Sequence, residues 1–180
     1  MTLQEKYKKE IIPKMKEIFG YKNNLAVPKI EKVVINCGVG RIVGQGGGET
    51  VLDNIRRDLA AICGQAPQEV KAKKSISAFK TRKGMKAGFR ITLRGRRMFD
   101  FISRLINIAL PRTRDFKGIS EKSFDQAGNL TIGVKEHIVF PEVSAEEVKN
   151  IFGFELTVCV IASSRQEAIE LLKLMGFPIK

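Results

Sequence analysis

The feature that most constrains the fold of this chain is a basic window at residues 71–97. Its 27 residues contain eleven Lys or Arg and no Asp or Glu, so they carry +11 of the net charge of +13. The remainder is spread thinly, with +3 for residues 1–70, +1 for 98–132 and −2 for 133–180. Charged side chains are almost never buried without partners. The window therefore predicts an exposed, concentrated polyanion-binding surface.

The second part of this window has the pattern of a half-buried strand. Residues 89–94 alternate strictly between apolar and polar side chains, with the apolar set Phe89, Ile91 and Leu93 and the polar set Arg90, Thr92 and Arg94. Because successive strand residues point to opposite faces, two guanidinium groups flank a hydroxyl on the exposed face. Such groups donate hydrogen bonds to phosphate and sugar oxygens. Residues 71–86 are expected to form a long basic loop.

A basic surface has three possible explanations. A soluble protein can carry a basic surface without binding any polyanion. A protein that binds a membrane surface would need an amphipathic helix with aromatic residues on its apolar face. The window predicts a loop and a strand instead, so nucleic acid is the favoured partner. An enzyme is disfavoured, because there is one His and no nucleophile–base motif. No metal site, cofactor or membrane association is expected.

The other elements predict one α+β domain of 180 residues. Strands and helices are interleaved irregularly, which predicts a mainly antiparallel sheet with helices on one face and RNA on the other. The strand at residues 30–39 contains Asn36, which either satisfies a buried neighbour or faces a ligand. A strand is expected at 130–140, with His137 on the surface. The three cysteines, odd in number and far apart, predict a reducing cytoplasm without disulfides.

Seven sequence runs together resemble a known family across almost the whole chain. They are PKIEKVVINCGVG (28–40), ICGQ (62–65), KAKKSISAFKTRKG (71–84), RITLRGRRMFDFISRL (90–105), LPRTRDFKG (110–118), SFDQAGN (123–129) and FPEV (140–143). In type, order and spacing they are similar to the bacterial 5S rRNA-binding ribosomal protein, the fifth of the large-subunit series. The resemblance implies a structural protein of the central protuberance, with 5S rRNA, 23S rRNA and other large-subunit proteins as partners.

The same resemblance implies particular contact residues. For rRNA they are Asn36, Gln65, Lys71, Arg90, Thr92 and Arg94. For P-site tRNA they lie in the basic loop: Lys73, Lys74, Ser75, Ser77, Phe79, Lys80, Arg82 and Lys83. The half at residues 111–180 would face the small subunit and contact a head protein there through Arg112, Arg114, Asp115, Lys117 and Glu142.

Overall fold

A computed structural model describes residues 1–44, 48–77, 81–143, 148 and 150–180. The strands are β1 (Lys29–Gly38), β2 (Gln68–Lys71), β3 (Lys86–Leu93), β4 (Leu130–Val134) and β5 (Phe154–Ile161). The α-helices are α1 (Leu3–Lys6), α2 (Ile12–Phe19), α3 (Gly40–Gly44), α4 (Glu49–Cys63), α5 (Gly95–Arg104), α6 (Leu110–Arg112) and α7 (Arg165–Met175). π-helical turns, Tyr7–Ile11 and Leu105–Ala109, join α1 to α2 and α5 to α6.

The five strands form one sheet in the order β2-β3-β1-β5-β4, which confirms the α+β prediction. β2 and β3 are antiparallel, with Gln68 opposite Arg90. Burial alternates along β1 and β5, as expected when one face of a sheet packs against a core. In β1 the side chains of Val33, Ile35 and Cys37 are buried, whereas that of Asn36 is exposed. The buried-neighbour interpretation of Asn36 is therefore wrong.

The chain divides into two compact units. Unit 1 comprises residues 1–33, 93–132 and 157–180, and unit 2 comprises residues 34–92 and 133–156. The core of unit 1 includes Ile11, Met15, Phe101, Leu105, Ile169 and Leu172, and that of unit 2 includes Ile55, Leu59, Ile62, Phe89, Ile91 and Phe140. Whether the chain acts as a single domain stays a prediction.

Two helix ends in the structure follow local sequence signals. α4 ends at Gly64, which adopts a left-handed conformation (φ 65°) and whose N–H bonds to the carbonyl of Ala60. α7 begins after Ser164, whose hydroxyl accepts a hydrogen bond from the N–H of Glu167. The helical segment that begins with α5 continues through the turn at Leu105–Ala109 and past Pro111 to Arg112, since a proline is tolerated in the first turn of α6.

The prediction of a surface histidine at position 137 is wrong. β4 ends at Val134, and residues 137–139 form a 3₁₀ turn, so the strand alternation stops before His137. The His137 side chain is fully buried and stacks on Phe152, with 3.9 Å between the ring centroids. Its Nδ1 accepts a hydrogen bond from the N–H of Phe152 at 3.3 Å.

Candidate nucleic-acid interface

β3 and its neighbour β1 present a row of polar side chains in unit 2. Arg90, which lies between the buried Phe89 and Ile91, is exposed, and Thr92, which follows Ile91, is half-buried. Asn36 is exposed on β1, which pairs with β3. Adjacent strands lie about 4.8 Å apart, so these groups can reach one ligand. We call Asn36, Arg90 and Thr92 the polar row; it offers a guanidinium, a hydroxyl and an amide.

Gln65 is held beside this row by a bond to the protein itself. The left-handed turn at Gly64 ends α4 and places Gln65 against β3. Its Nε2 then donates a hydrogen bond to the carbonyl of Thr92 at 3.3 Å. One of its donors is therefore occupied, which fixes the orientation of the amide. The guanidinium of Arg90 is likewise steadied by Gln68, whose Oε1 accepts from Nη2 at 3.5 Å.

Residues 71–86, predicted to be a loop, form a backbone-paired hairpin in their described part. The N–H of Ala72 donates to the carbonyl of Met85 at 2.8 Å, and Ile76 and Thr81 exchange both backbone hydrogen bonds. Gly84 adopts a positive φ of 87° in the returning arm. Lys71, Lys73, Lys74, Arg82 and Lys83 are all exposed on it. The predicted contacts Phe79 and Lys80 lie outside the described residues.

Ser75 is a fastening point of this hairpin. Its Oγ accepts a hydrogen bond from the N–H of Lys83 at 2.9 Å, which joins the two arms. The hydroxyl of Ser75 thus has a partner within the protein, and its contact with tRNA stays a prediction. Ser77 is also exposed but makes no such bond among the described residues.

Ser75→Ala is expected to loosen the hairpin without unfolding unit 2. Losing one exposed hydrogen bond costs about 1 kcal/mol, so the amide proton of Lys83 should exchange roughly fivefold faster. Hydrogen exchange followed by NMR measures this rate. Ser77→Ala is the matched control and should leave the rate unchanged. Equal rates in the two variants would contradict the fastening role.

Lys86 differs from the other basic residues of the window because it is paired. It forms ion pairs with Glu49 of α4 and, at 3.8 Å, with Glu69 of β2. The hydrogen bond to Glu49 raises the pKa of Lys86 and lowers that of Glu49. The fold therefore brings carboxylates to a window whose sequence contains none. Within unit 2, the cations of the window that have no carboxylate partner among the described residues lie in the hairpin and at Arg90.

The remaining predicted contacts fall in separate places. Arg94, in unit 1, is exposed immediately before α5. Arg112, Arg114, Asp115 and Lys117 are exposed in unit 1, where Asp115 has a φ of 55°, the single positive value for a non-glycine residue in the described chain. Glu142, in unit 2, is half-buried and has an interaction partner of its own.

The pairs that position this interface involve residues that the sequence pattern did not single out. Gln68, Glu49 and Glu69 come from other elements, and only the strand register and the course of α4 bring them to Arg90 and Lys86. Residues 68–71, with the sequence QEVK, do not alternate between polar and apolar side chains, so no pattern indicated which way Gln68 faces. No signal in the sequence indicated the two carboxylates.

Other kinds of site find no support among the described residues. They contain no cluster of three or more potential metal ligands. Nor does the described part of the chain include a helix long and apolar enough to cross a membrane. The three cysteines are free, and burial raises the pKa of the Cys37 thiol to about 12.

Comparison with known proteins identifies the family. Residues 23–82 match the model described as Ribosomal protein L5, and residues 86–179 match the model of the C-terminal part of the same ribosomal family. The chain is 48% identical to the large ribosomal subunit protein uL5 of Halothermothrix orenii, over 98% of this chain and 97% of that one. The same protein of Dictyoglomus turgidum is 50% identical, over 99% and 98%.

The fold, the basic interface and these matches define a ribosomal protein. More particularly, the chain belongs to the L5 family of large-subunit ribosomal proteins. The resemblance found in the sequence is confirmed, and so is the prediction of a structural protein of the ribosome rather than an enzyme.

Proposed function

We propose that this chain binds 5S rRNA and helps to hold it in the central protuberance of the large subunit, in the cytoplasmic ribosome. The observation that carries the proposal is the polar row on two neighbouring strands whose other faces are buried, with Arg90 and Asn36 exposed and Thr92 half-buried. Guanidinium and hydroxyl groups bind phosphate and 2′-hydroxyl oxygens, and an amide both donates and accepts. Gln65, Lys71 and Arg94 would add contacts.

The hairpin would attract RNA at longer range, and it would also make a second contact, with tRNA. Its exposed cations attract RNA through counterion release, whatever the sequence of that RNA. We propose that its tip reaches P-site tRNA through the tRNA-contact residues named above. The exposed loop residues Arg112, Arg114, Asp115 and Lys117, together with Glu142, would contact a small-subunit head protein. 23S rRNA and neighbouring large-subunit proteins complete the proposed partners.

A gel shift with labelled 5S rRNA tests the proposal. Competing tRNA and duplex DNA are added across a series of salt concentrations. Charge attraction weakens steeply with salt, whereas shape-specific hydrogen bonds persist. We expect the preference for 5S rRNA to increase as salt rises. Equal affinities for the three nucleic acids, collapsing together, would contradict the proposed function.

Two variants of the polar row separate phosphate anchoring from shape recognition. Arg90→Gln removes one phosphate contact, so the slope of log affinity against log salt should become shallower by about 0.9.

Asn36→Ala should leave that slope unchanged and reduce the preference for 5S rRNA over tRNA by about tenfold, since a specific hydrogen bond contributes roughly 1.5 kcal/mol. Equal weakening of both RNAs by Asn36→Ala would make Asn36 a residue of the fold only.

A further inference from the structure

Residues 177–180, which follow α7, pair with the segment that comes after α6. The N–H of Ile119 donates a hydrogen bond to the carbonyl of Pro178 at 2.8 Å, and the N–H of Lys180 donates to the carbonyl of Ile119 at 2.9 Å. Ile119 and Ile179 thereby form a parallel bridge between two stretches that are far apart in the sequence. We call residues 177–180 the strap; the strap and its partner segment both belong to unit 1.

The strap starts from a rigid point, the end of a core helix. α7 ends at Gly176, whose φ of 100° turns the chain back. The side chain of Phe177 is buried, and its N–H donates to the carbonyl of Leu172 in the last turns of α7 at 3.0 Å. Ile119, on the other side of the bridge, is buried as well. The bridge therefore connects the segment after α6 to a fixed part of unit 1.

The strap also contacts the end of an exposed charged loop, which we define as residues 113–118. The side chain of Lys180 lies over Gly118, so that a Cβ on Gly118 would be 2.9 Å from Cε of Lys180 and 3.0 Å from its Cγ. Gly118 has a φ of 96°, which glycine adopts without strain. The strap thus holds this end of the charged loop through its backbone and through a side chain.

The conformation of the charged loop depends on support from its surroundings. Asp115 has a φ of 55°, and a left-handed conformation costs free energy for a residue other than glycine. Such a conformation persists where neighbouring structure fixes it. At the start of the loop, the hydroxyl of Thr113 donates to the carbonyl of Ala109 at 3.0 Å. At the end of the loop, the strap supplies the support.

α7 holds the segment that follows the bridge, so the strap extends an existing scaffold. The guanidinium of Arg165 donates to the carbonyl of Glu121, and the ammonium of Lys173 lies 3.5 Å from the carboxylate of Glu121. A Cβ on Gly128 would be 2.6 Å from the Cβ of Ala168 on α7. Residues 119–128 are therefore attached to α7, and the strap carries this attachment back to the charged loop.

We propose that the strap is a positioning segment: it fixes the backbone of the charged loop so that Arg114, Asp115 and Lys117 are presented in one orientation. The strap acts through the loop and does not touch the loop's partner. This inference rests on the proposed contact of the charged loop with a small-subunit head protein. A backbone hydrogen bond shifts such an equilibrium by about fivefold, so loss of both bonds should increase the open population of the loop by more than about tenfold.

NMR relaxation of the full-length protein tests whether the strap orders the loop. A variant that lacks residues 178–180 loses both hydrogen bonds and keeps Phe177 in the core. We expect the backbone order parameters of residues 114–117 to fall from about 0.85, the value of a rigid backbone, to below about 0.6. Unchanged order parameters in this variant would overturn the proposal.

Two substitutions at Lys180 separate the hydrogen bond from the charge. Lys180→Pro removes the N–H that donates to Ile119 together with the charge, and it should give intermediate order parameters. Lys180→Gln removes the same charge but keeps the N–H, so it should leave the order parameters as in the wild type. Equal mobility of the loop in these two variants would contradict a strap that acts through its backbone.

Binding to isolated small ribosomal subunits tests whether the strap acts through the loop. The variant that lacks residues 178–180 should bind them at least about fivefold more weakly, because less of the loop is in the competent conformation. Arg114→Gln/Lys117→Gln removes two of the proposed contacts, and adding the deletion to it should weaken binding little further. Additive losses would mean that the strap contacts the small subunit itself, which would overturn its positioning role.

Failure of the proposed function would give a different result. If Arg114→Gln/Lys117→Gln bound small subunits as tightly as the wild type, the proposed contact of the charged loop would be refuted. The order parameters would still decide whether the strap holds the loop, because they are measured without any partner. The gel shift of 5S rRNA should be unchanged in every strap variant, since none of the proposed rRNA contacts lies in the strap or in the charged loop.

Discussion

Gly88→Ala is expected to lower the free energy of unfolding by about 3 kcal/mol, at the upper end of the cost of overpacking a core. Gly88 lies on β3, where the backbone of β1 passes very close to it. A Cβ placed there would be 2.5 Å from the carbonyl oxygen of Cys37 and 3.5 Å from the Cα of Gly38. Backbone atoms of a central strand cannot move aside as the end of a flexible side chain can, so the strands must separate.

Gly38→Ala is the matched control for this prediction. Gly38 lies on β1, and a Cβ there would meet nothing within 4 Å. Urea denaturation of both variants compares their midpoints and slopes, and only Gly88→Ala should shift the midpoint strongly. A similar small effect at both positions would mean that the sheet tolerates the added methyl group. Since β3 carries Arg90, the Gly88 variant should also lose affinity for RNA.

The parts of the fold that could be predicted from sequence are those set by neighbouring residues. The alternation over residues 89–94 predicted the exposed Arg90 because strand geometry fixes which side each residue faces. Gly64 ends α4 and Ser164 begins α7 through local effects, which act within one helical turn. Each of these signals needs no knowledge of distant elements.

The features that could not be predicted depend on partners far away in sequence. Lys86 pairs with Glu49, which is 37 residues distant in the sequence. The basic window contains no acidic residue of its own, but the fold places a carboxylate beside it. The paired backbone of the hairpin was missed because its residues have no strand pattern, and main-chain bonds hold it. Gln65 fits the same rule, since its bond to Thr92 depends on how α4 meets β3.

The burial of His137 also depends on residues far away in the sequence, and it leads to the second prediction. A sequence pattern cannot reveal that Phe152 stacks on the imidazole, or that Asp58 lies 3.6 Å from Nε2. Because Nδ1 accepts the N–H of Phe152, the neutral ring carries its proton on Nε2, toward Asp58. Burial lowers the pKa of His137 below 6.5, and the Asp58 carboxylate only partly opposes that shift.

This lowered pKa predicts an acid-sensitive stability. As pH falls below 6.5, the unfolded chain binds a proton that the native imidazole does not, so the native state loses stability. The free energy of unfolding should fall by up to about 1.4 kcal/mol per pH unit. This decrease should stop once the pH is below the pKa of the native imidazole, because the native and unfolded states are then both protonated. Above 6.5 the full contribution of the neutral, hydrogen-bonded ring is present.

His137→Gln isolates this effect, because the sequence contains one histidine and the variant therefore has no imidazole. An amide oxygen can still accept the N–H of Phe152, and an amide does not titrate. Denaturation of both proteins across a pH series gives the difference between their free energies of unfolding. The titrating groups that the two proteins share contribute equally to both values, so they cancel in this difference. We expect the wild type to lose its advantage as the solution is acidified. If that advantage grew in acid instead, the native imidazole would be protonated and paired with Asp58, and the burial of a neutral ring would be refuted.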